Sequence, residues 1–392
     1  MDALRREVAA LLLLDRLPGV GPRTVRRLTE RFGSGQRALQ AGARAFAGAV
    51  GAGGAGAARA RRDPELRAEV VRGLARAREL GMGVWSWTDP RYPACLTHLA
   101  DPPPVLFLRG NEGLLERPGV AVVGARRATH RGREVARRLG AGLASRGVTV
   151  VSGLALGVDG AAHAGALAAA GPTTAVLGGG ADRASPRSHA TLFRRILAEG
   201  LVVSEFLPGT PPRPHHFPRR NRIVAALARA VVVVEAGERS GALITVDHAL
   251  DLGRDVWAVP GPIHTPSCAG SNQLLTEGAR ALVSVEAFVA EVTGTSAGEA
   301  RRDPEGPSPS SRHRSPDEER DSSSGRAVPA EALEADPSLA AVLATLAEGD
   351  QAVESVAGRA GVTTARALAI LTRLELLGQV ARLPGQRFRR AG

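Results

Sequence analysis

Residues 217–245 read FPRRNRIVAALARAVVVVEAGERSGALIT, and their pattern is the strongest indication of the fold. Phe217 to Arg222 place an aromatic ring, three guanidiniums and an amide on a predicted turn that opens into an apolar helix over Ile223–Ala230. The helix leads into the four-valine strand Val231–Val234, and Ser240–Thr245 form a second turn ahead of another helix. Two helix N-termini therefore face one edge of a sheet, where free N–H groups and positive dipole ends favour a phosphate.

The same alternation of short β-branched runs and helical segments extends through the middle of the chain. Buried strands joined by crossover helices predict an α/β fold, an extended Rossmann-like doubly wound parallel sheet that binds ligands at the carboxyl ends of its strands. The strand candidates are Val120–Val123, Val148–Val151, Thr173–Leu177, Leu201–Val203, Val231–Val234 and Val256–Val259, preceded by additional strands at Val84–Trp87 and Val105–Leu108.

Composition divides the chain into four predicted segments. We expect a helical domain at residues 1–80, the Rossmann-like domain at 81–291, a disordered linker at 292–328 and a winged-helix domain at 329–392. The linker is rich in Ser, Pro and charged residues and almost free of apolar ones.

Three helical stretches and a hairpin predict the winged helix. They are Leu339–Leu346, Val353–Ala360, Thr364–Leu377 and a hairpin around Pro384-Gly385, with Thr363 or Thr364 as the cap of the third helix. Winged helices bind DNA or proteins, and the acidic character of the rest of this module favours a regulatory or protein-docking role.

A Gly-x-Gly turn within the first 80 residues has the arrangement of a helix-hairpin-helix (SAM-like) motif. Leu17–Val25 joins two predicted helices, and the backbone amides at Gly19 and Gly21 can meet a DNA phosphate with Arg23 nearby. We predict these three residues as a secondary DNA-binding site. A plain helix connector is an equally compatible reading.

Charge and residue usage restrict the possible functions. The formal net charge of +12 over 392 residues favours a polyanionic partner, and the 51 cationic side chains are all arginine. Without lysine there is no Walker A or Schiff-base chemistry. Cys95 and Cys268 lack metal-ligand spacing, so no metal site is predicted, and the apolar run Ala9–Leu14 is too short for a membrane span. We expect an intracellular protein without membrane contact.

The loops after the predicted strands add glycine and polar residues to one edge of the sheet. Gly124–Thr129 offers Arg126 to a phosphate but lacks the G-x-G-x-x-G pattern, so no dinucleotide cofactor is predicted. Asp159 is expected to cap the helix after the second strand, and Glu205 to orient arginines. Because no paired acid and base accompanies these loops, the arginines and Phe217 predict binding of single-stranded nucleic acid.

The order and spacing of these loops resemble the DprA/Smf family. The resemblance rests on GARRAT (124–129), SGLALGVD (152–159), LGGGAD (177–182), SEF (204–206), FPRRNRIV (217–224), VVVVEA (231–236), SGALIT (240–245), AVPG (258–261) and GSNQLLTEGA (270–279). It implies a cytoplasmic homodimer without catalytic activity or cofactor, which binds incoming single-stranded DNA during natural transformation, shields it and helps load RecA recombinase.

The resemblance also implies particular contacts. Matched by motif, the predicted DNA-binding residues are Arg126, Arg187, Phe217, Arg220, Asn221, Arg222, Ser240, Gly241 and Thr245, with Asn221 fixing its turn through backbone hydrogen bonds. The chain departs from the family pattern at Ala125, Arg131 and Ser185, where the family has a serine, an aromatic residue and a tyrosine. A hydroxyl and two rings are thereby lost around the pocket.

An enzymatic function is the alternative. The SGALIT turn is also similar to the turn of nucleoside-monophosphate phosphoribohydrolases, which bind nucleotides on a Rossmann-like sheet. In that reading Glu205 or Glu235 acts as the acid and base.

Overall fold

A computed structural model describes residues 3–117, 119–294, 337–376, 379–383 and 387–390. The chain divides into two compact units, Met1–Asp303 and Pro304–Gly392. Within the described ranges no helix is long and apolar enough to cross a membrane. Most of the predicted linker, from residue 295 to its end at 328, lies outside these ranges, and its first two residues belong to a helix that ends at Thr293.

One mixed sheet forms the centre of the first unit. Its strands are β1 (Gly83–Ser86), β2 (Val105–Gly110), β3 (Gly119–Val123), β4 (Thr149–Ser152), β5 (Thr173–Val176), β6 (Leu201–Ser204), β7 (Ala230–Val233), β8 (Asp255–Ala258) and β9 (Arg280–Ala281). These nine strands lie in the order β1-β2-β6-β5-β4-β3-β7-β8-β9. All pairs from β6 to β9 are parallel, whereas β1 and β2 form an antiparallel edge. The doubly wound parallel sheet is confirmed.

The order in which successive strands are added to the sheet reverses between β3 and β7. Val120 of β3 pairs with Val150 of β4 on one side and with Ala230 of β7 on the other. Strand order runs outward from β3 in both directions, and such a switch point leaves a crevice beyond the carboxyl ends of the two strands. Val123 and Val233 end β3 and β7 at this crevice.

Helices cover both faces of the sheet. They are α7 (Ala94–Thr97), α8 (His130–Ala144), α9 (Val158–Ala168), α10 (Ala190–Glu199), α11 (His216–Ala226), α12 (Gly241–Asp251), α13 (Ala269–Thr276) and α14 (Val285–Thr293). Side chains alternate along β3, so Val120 and Val122 pack toward α8 and α9 while Ala121 and Val123 pack toward α11 and α12. Both faces of β3 are buried, which explains its continuous apolar run.

Six helices precede the sheet. In chain order from the N-terminus they are Ala3–Asp15, Pro22–Phe32, Gly35–Gln40, Ala43–Val50, Gly54–Ala60 and Pro64–Glu79, here α1 to α6. Their core is continuous with that of the sheet, since Leu14 and Phe46 share a buried cluster with Phe107 and Leu207. The predicted boundary at residue 80 therefore falls within one packed unit.

The second unit has the predicted winged-helix elements. Helices α15 (Pro337–Thr345), α16 (Val353–Ala360) and α17 (Thr364–Leu376) accompany a small sheet of β10 (Gln351–Ala352), β11 (Val380–Leu383) and β12 (Arg387–Arg390). Phe388 of β12 is buried among the helices. Thr363 Oγ1 accepts the Arg366 N–H at 3.3 Å, which confirms the predicted cap. The Pro384-Gly385 turn lies outside the described residues.

The structure corrects the predicted start of the helix that contains the hexapeptide. Residues 217–222 do not form a turn ahead of a helix at Ile223, because α11 already begins at His216. Pro218 is tolerated there, since a proline in the first turn of a helix needs no N–H for the helical ladder.

Candidate nucleic-acid interface

The helical period of α11 divides the FPRRNR hexapeptide between two environments. Phe217, Arg220 and Asn221 are spaced i, i+3 and i+4, so they lie on one face of the helix. All three line an open cavity at the β3/β7 switch point. Arg219 and Arg222 lie on the other side and contact buried carboxylates.

This switch-point cavity has a volume of about 730 Å³. It is lined by residues that follow β3, β4, β7 and β8 together with the start of α11. They are Val123, Gly124, Ala125, Arg126, Arg127, Ala155, Asp159, Pro214, Phe217, Pro218, Arg220, Asn221, Gly237, Arg239, Ser240, Gly241, Ala242, Thr245, Pro266 and Ser267. Four arginines and one carboxylate, that of Asp159, belong to this lining, so its charge is strongly positive.

Arg126 and Phe217 form a cation–π pair in the cavity. The Arg126 Cζ atom lies 4.8 Å from the centre of the Phe217 ring. The ring is half-buried and rests against Gly178, where an added Cβ would come within 3.0 Å of Phe217 Cδ1. The Arg126 side chain is otherwise exposed. A ring fixed by packing, with a guanidinium above it, suits both a base and a phosphate.

Arg220 lies at the floor of the cavity and is buried. Its Nη1 donates to the carbonyl oxygen of Gly153 at 2.8 Å and to that of Val176. Burial lowers the pKa of Arg220 to about 10, and the nearby Asp159 carboxylate opposes this shift. The guanidinium lies so close to Gly153 that an added Cβ there would meet Nη2 at 2.1 Å. Arg220 therefore joins the ends of β4 and β5.

Asp159 does not act as the predicted helix N-cap. It is the second residue of α9, and the N-cap position belongs to Gly157. Its Oδ2 atom accepts the N–H groups of Gly153 at 3.1 Å and of Ala155 at 3.3 Å. Burial raises the pKa of the Asp159 carboxyl. The residue fixes the loop that precedes α9, and with Arg220 it forms the lower wall of the cavity.

Arg222 is placed away from the cavity, contrary to the predicted DNA contact. Its side chain is 2% exposed, and Nη1 and Nη2 contact the two Glu205 oxygens at 3.1 and 2.9 Å. Nε also lies 3.1 Å from Asp101 Oδ2. A guanidinium enclosed between two carboxylates has no access to a phosphate, and the geometry gives Arg222 a structural role. Glu205 orients arginines, as expected.

Arg219 extends the same ion-pair network to the N-terminal helices. Its Nε donates to Glu205 Oε2 at 2.9 Å, and its Nη2 lies 3.1 Å from Asp15 Oδ2 at the end of α1. Burial raises the pKa of Asp15 to about 6, although Arg219 opposes the shift. The network fixes α11 from the side opposite the cavity.

The start of α12 supplies the opposite wall of the cavity. Ser240 is the N-cap, and its hydroxyl accepts the Ala242 N–H at 3.3 Å. Asn221 Nδ2 donates to the Gly241 carbonyl at 3.0 Å, so Asn221 bonds the α12 turn instead of fixing its own. Thr245, one turn further, is buried. The structure thus brings the predicted Ser240, Gly241 and Thr245 to the cavity that Arg126 also lines.

Arg187, like Arg222, is a predicted contact that the structure leaves outside the switch-point cavity. It is exposed and begins a short 3₁₀ turn, Arg187–His189. Of the three departures from the family pattern, Ala125 lines the cavity and Arg131 lines a neighbouring one that contains Glu235. Ser185 precedes Pro186 through a cis peptide bond.

The predicted helix-hairpin-helix turn joins α1 to α2. Gly19 has a left-handed φ of +73°, Gly21 is the N-cap of α2, and Arg23 is exposed in its first turn. A non-glycine residue is strained at a φ of +73°, so Gly19 is required by the turn itself. The DNA contact of these residues stays a prediction.

Sequence reasoning missed two arginines of the cavity, Arg127 and Arg239. Both are exposed and line it beside Arg126 and Ser240. Each is adjacent in sequence to a predicted contact, in a loop that was expected at the same edge of the sheet. This adjacency could have identified both arginines.

The candidate acids of the enzymatic alternative do not line this cavity. Glu205 is enclosed by Arg219 and Arg222. Glu235 accepts the Thr129 N–H at 2.9 Å in the neighbouring cavity. In the described part of the chain, no cluster of three or more His, Cys, Asp or Glu side chains is placed to hold a metal ion.

A positively charged cavity at the switch point of an open α/β sheet is typical of proteins that bind an anionic ligand there. A family model for DNA recombination-mediator protein A matches residues 83–293, and one for the DprA winged helix domain matches residues 326–386. The chain belongs to the DprA/Smf family of DNA-processing proteins.

Individual relatives and solved structures support this family assignment. The DNA processing protein DprA of Bacillus subtilis (strain 168) is 38% identical over 225 residues, which cover 57% of this chain and 76% of the relative. Protein Smf of Escherichia coli (strain K12) is 38% identical over 303 residues, 76% of each chain. The X-ray structure of DprA from Streptococcus pneumoniae has a TM-score of 0.61 and 34% identity, over 74% of this chain and 99% of that one. The structure of Helicobacter pylori DNA processing protein A has a TM-score of 0.50 and 28% identity, over 55% and 98%.

Proposed function

We propose that the switch-point cavity binds single-stranded DNA and that the protein acts as a recombination mediator. The observation that carries the proposal is the grouping of Arg126, Arg127 and Arg239 around the half-buried Phe217 in one open cavity. Guanidiniums bind phosphates bidentately, and an aromatic ring stacks on any base. The relative from Helicobacter pylori is described by its single-stranded DNA binding mode, which supports the same ligand here.

Within this proposal the cavity residues have distinct roles. Arg126, Arg127 and Arg239 bind phosphates, and Phe217 stacks on a base. Ser240, Gly241 and Thr245 form the wall against which the strand lies, while Asn221 holds that wall to α11. Arg220 shapes the floor from its buried position. Gly19, Gly21 and Arg23 are a secondary site for the backbone.

The family and the proposed ligand support the following cellular role, which is part of the proposal. The protein shields incoming single-stranded DNA in the cytoplasm during natural transformation or DNA uptake and helps load RecA recombinase onto it. It works as a homodimer and has no catalytic turnover. The contacts of Glu205 and Glu235 weigh against the phosphoribohydrolase alternative, because each carboxylate is already engaged outside the cavity.

A titration with oligothymidine and with duplex of equal length tests the ligand. We expect tighter binding to the single strand and an affinity that falls steeply with salt. Equal affinity for the two forms at every salt concentration contradicts the proposal. RecA filament formation on DNA coated with a single-strand binding protein, with and without this protein, tests the mediator role separately. Release of free base from a nucleoside monophosphate would restore the enzymatic alternative.

A further inference from the structure

A second cavity adjoins the switch-point cavity. This α8–α9 groove has a volume of about 590 Å³. Arg126 and Arg127 line both, so the groove and the cavity meet at these two side chains. The other residues that line the groove are Ala128, Arg133, Arg137, Leu156, Gly157, Gly160, Ala161, Ala164 and His189.

The groove is basic along its length. Four of its described lining residues are arginines, and none is a carboxylate. Arg133 uses Nη1 to donate to the Ala128 carbonyl at 2.7 Å, and Arg137 Nη1 lies 2.7 Å from Glu134 on the same helix. A guanidinium carries five N–H donors, so one such contact leaves others for a phosphate. The Arg137–Glu134 pair is half exposed on both sides and is therefore weak.

The groove also offers surfaces to bases. Leu156, which lies in the loop just before α9, is 46% exposed. The His189 ring lies against Gly160, where an added Cβ would come within 2.5 Å of its Cε1 atom. His189 Nδ1 is 3.0 Å from the Leu154 carbonyl, which fixes the ring. Arg187 starts the same 3₁₀ turn as His189, so it is close in sequence to this groove and absent from the cavity.

We propose that the α8–α9 groove is a second subsite for single-stranded DNA, which receives the strand as it leaves the switch-point cavity past Arg126 and Arg127. Arg133 and Arg137 bind its phosphates, and Leu156 and His189 contact its bases. This inference rests on the proposed function. It predicts a binding site longer than the cavity alone, with a contribution from the groove that depends on oligonucleotide length.

Removal of the two groove arginines tests the subsite. In the R133A/R137A variant we expect affinity for oligothymidine of about 20 nucleotides to fall roughly tenfold at about 0.1 M salt, and the salt slope to fall by about 1.4, or about 0.7 for each phosphate contact. Binding of an oligomer of about 5 nucleotides, which the proposal confines to the cavity, is expected to stay unchanged. The matched control is R138A/R195A, whose arginines pair with Glu286 and Glu199 away from the groove.

The outcomes separate the two proposals. If the wild-type protein fails to bind either oligomer, the proposed function itself is wrong. If it binds both and the groove variant matches the control at both lengths, the second subsite is wrong while the function stands. An equal loss at both lengths also overturns the subsite, because it assigns the two arginines to the cavity.

Protection of a groove residue from chemical labelling tests the subsite without a comparison of affinities between variants. Leu156→Cys places a thiol in the groove, and the native Cys268 is buried while Cys95 is partly buried. We expect the oligomer of about 20 nucleotides to slow maleimide labelling of the new thiol, measured against wild-type background, and the short oligomer to leave it unchanged. Undiminished labelling with the long oligomer bound contradicts the proposal.

Discussion

The guanidinium of Arg126 lies over the ring of Phe217, at 4.8 Å from its centre, and joins the loop after β3 to the first turn of α11. The two side chains come from sequence positions far apart, and the parallel sheet brings them together at its switch point. In the proposed function Phe217 stacks on a base and Arg126 binds a phosphate. We therefore expect base stacking and phosphate binding to be coupled at this pair.

Replacement of Phe217 tests the stacking contribution. Phe217→Leu removes the π-face while it keeps apolar packing against Gly178. We expect a loss of about 1–3 kcal/mol in binding of oligothymidine, whereas Phe217→Tyr retains most of the affinity. Fluorescence anisotropy at one salt concentration measures both variants. Leucine and tyrosine variants of equal affinity would show that the ring does not stack on DNA.

Arg222 is expected to affect stability and not DNA binding. Arg222→Ala leaves Glu205 buried without its main partner, so the free energy of unfolding should fall by about 3–5 kcal/mol. The salt slope of the folded protein should stay that of the wild type. Arg239→Ala is the converse control, because an exposed arginine changes stability by about 0.5 kcal/mol or less yet contributes to the cavity charge. Urea denaturation and DNA titration of both variants check this; a reduced salt slope for Arg222→Ala would contradict it.

Gly153 is expected to be intolerant of any side chain. In Gly153→Ala the new Cβ would overlap the Arg220 guanidinium, so that group must leave the carbonyls of Gly153 and Val176. We expect unfolding to become easier by about 1–3 kcal/mol. Gly56→Ala serves as control, since nothing lies within 4 Å of the added Cβ and a helical alanine is favoured. Equal melting temperatures for the two variants would refute the close contact.

Asp15 should make stability depend on pH between about 4 and 6. Burial raises its folded-state pKa from 3.8 to about 6, so the folded protein binds the proton more tightly than the unfolded chain. The resulting stabilisation is present at low pH and is lost as pH rises through about 6. Asp15→Asn does not titrate. The free energy of unfolding of the wild type minus that of the variant should therefore decrease from about pH 4 to about pH 6, and a constant difference would rule out the shift.

Periodic features of the fold could be predicted from the sequence. The β-branched runs gave each of the six central strands to within one residue at either end, because buried parallel strands are continuously apolar. The antiparallel pairing of β1 and β2 could not be predicted, since local sequence does not encode the direction of a neighbouring strand.

The site was less predictable because it depends on where one helix begins. With α11 starting at His216, the side chains at 217, 220 and 221 share the cavity face and Arg222 is buried with Glu205. A predicted turn at Phe217-Pro218 does not show which of these side chains share one face of a helix. Likewise, the absence of Arg187 from the cavity depends on the path of the loop after β5, which sequence spacing does not fix.

The salt dependence of single-strand binding is the decisive measurement for DNA binding in the switch-point cavity. The slope of log K against log salt concentration should be less steep by about 2 in R126A/R127A/R239A than in the wild type, at about 0.7 for each phosphate contact. It should be unchanged in R72A/R76A/R195A, which removes three exposed arginines that pair with glutamates outside the cavity. Equal slopes for the wild type and the cavity variant would contradict the account.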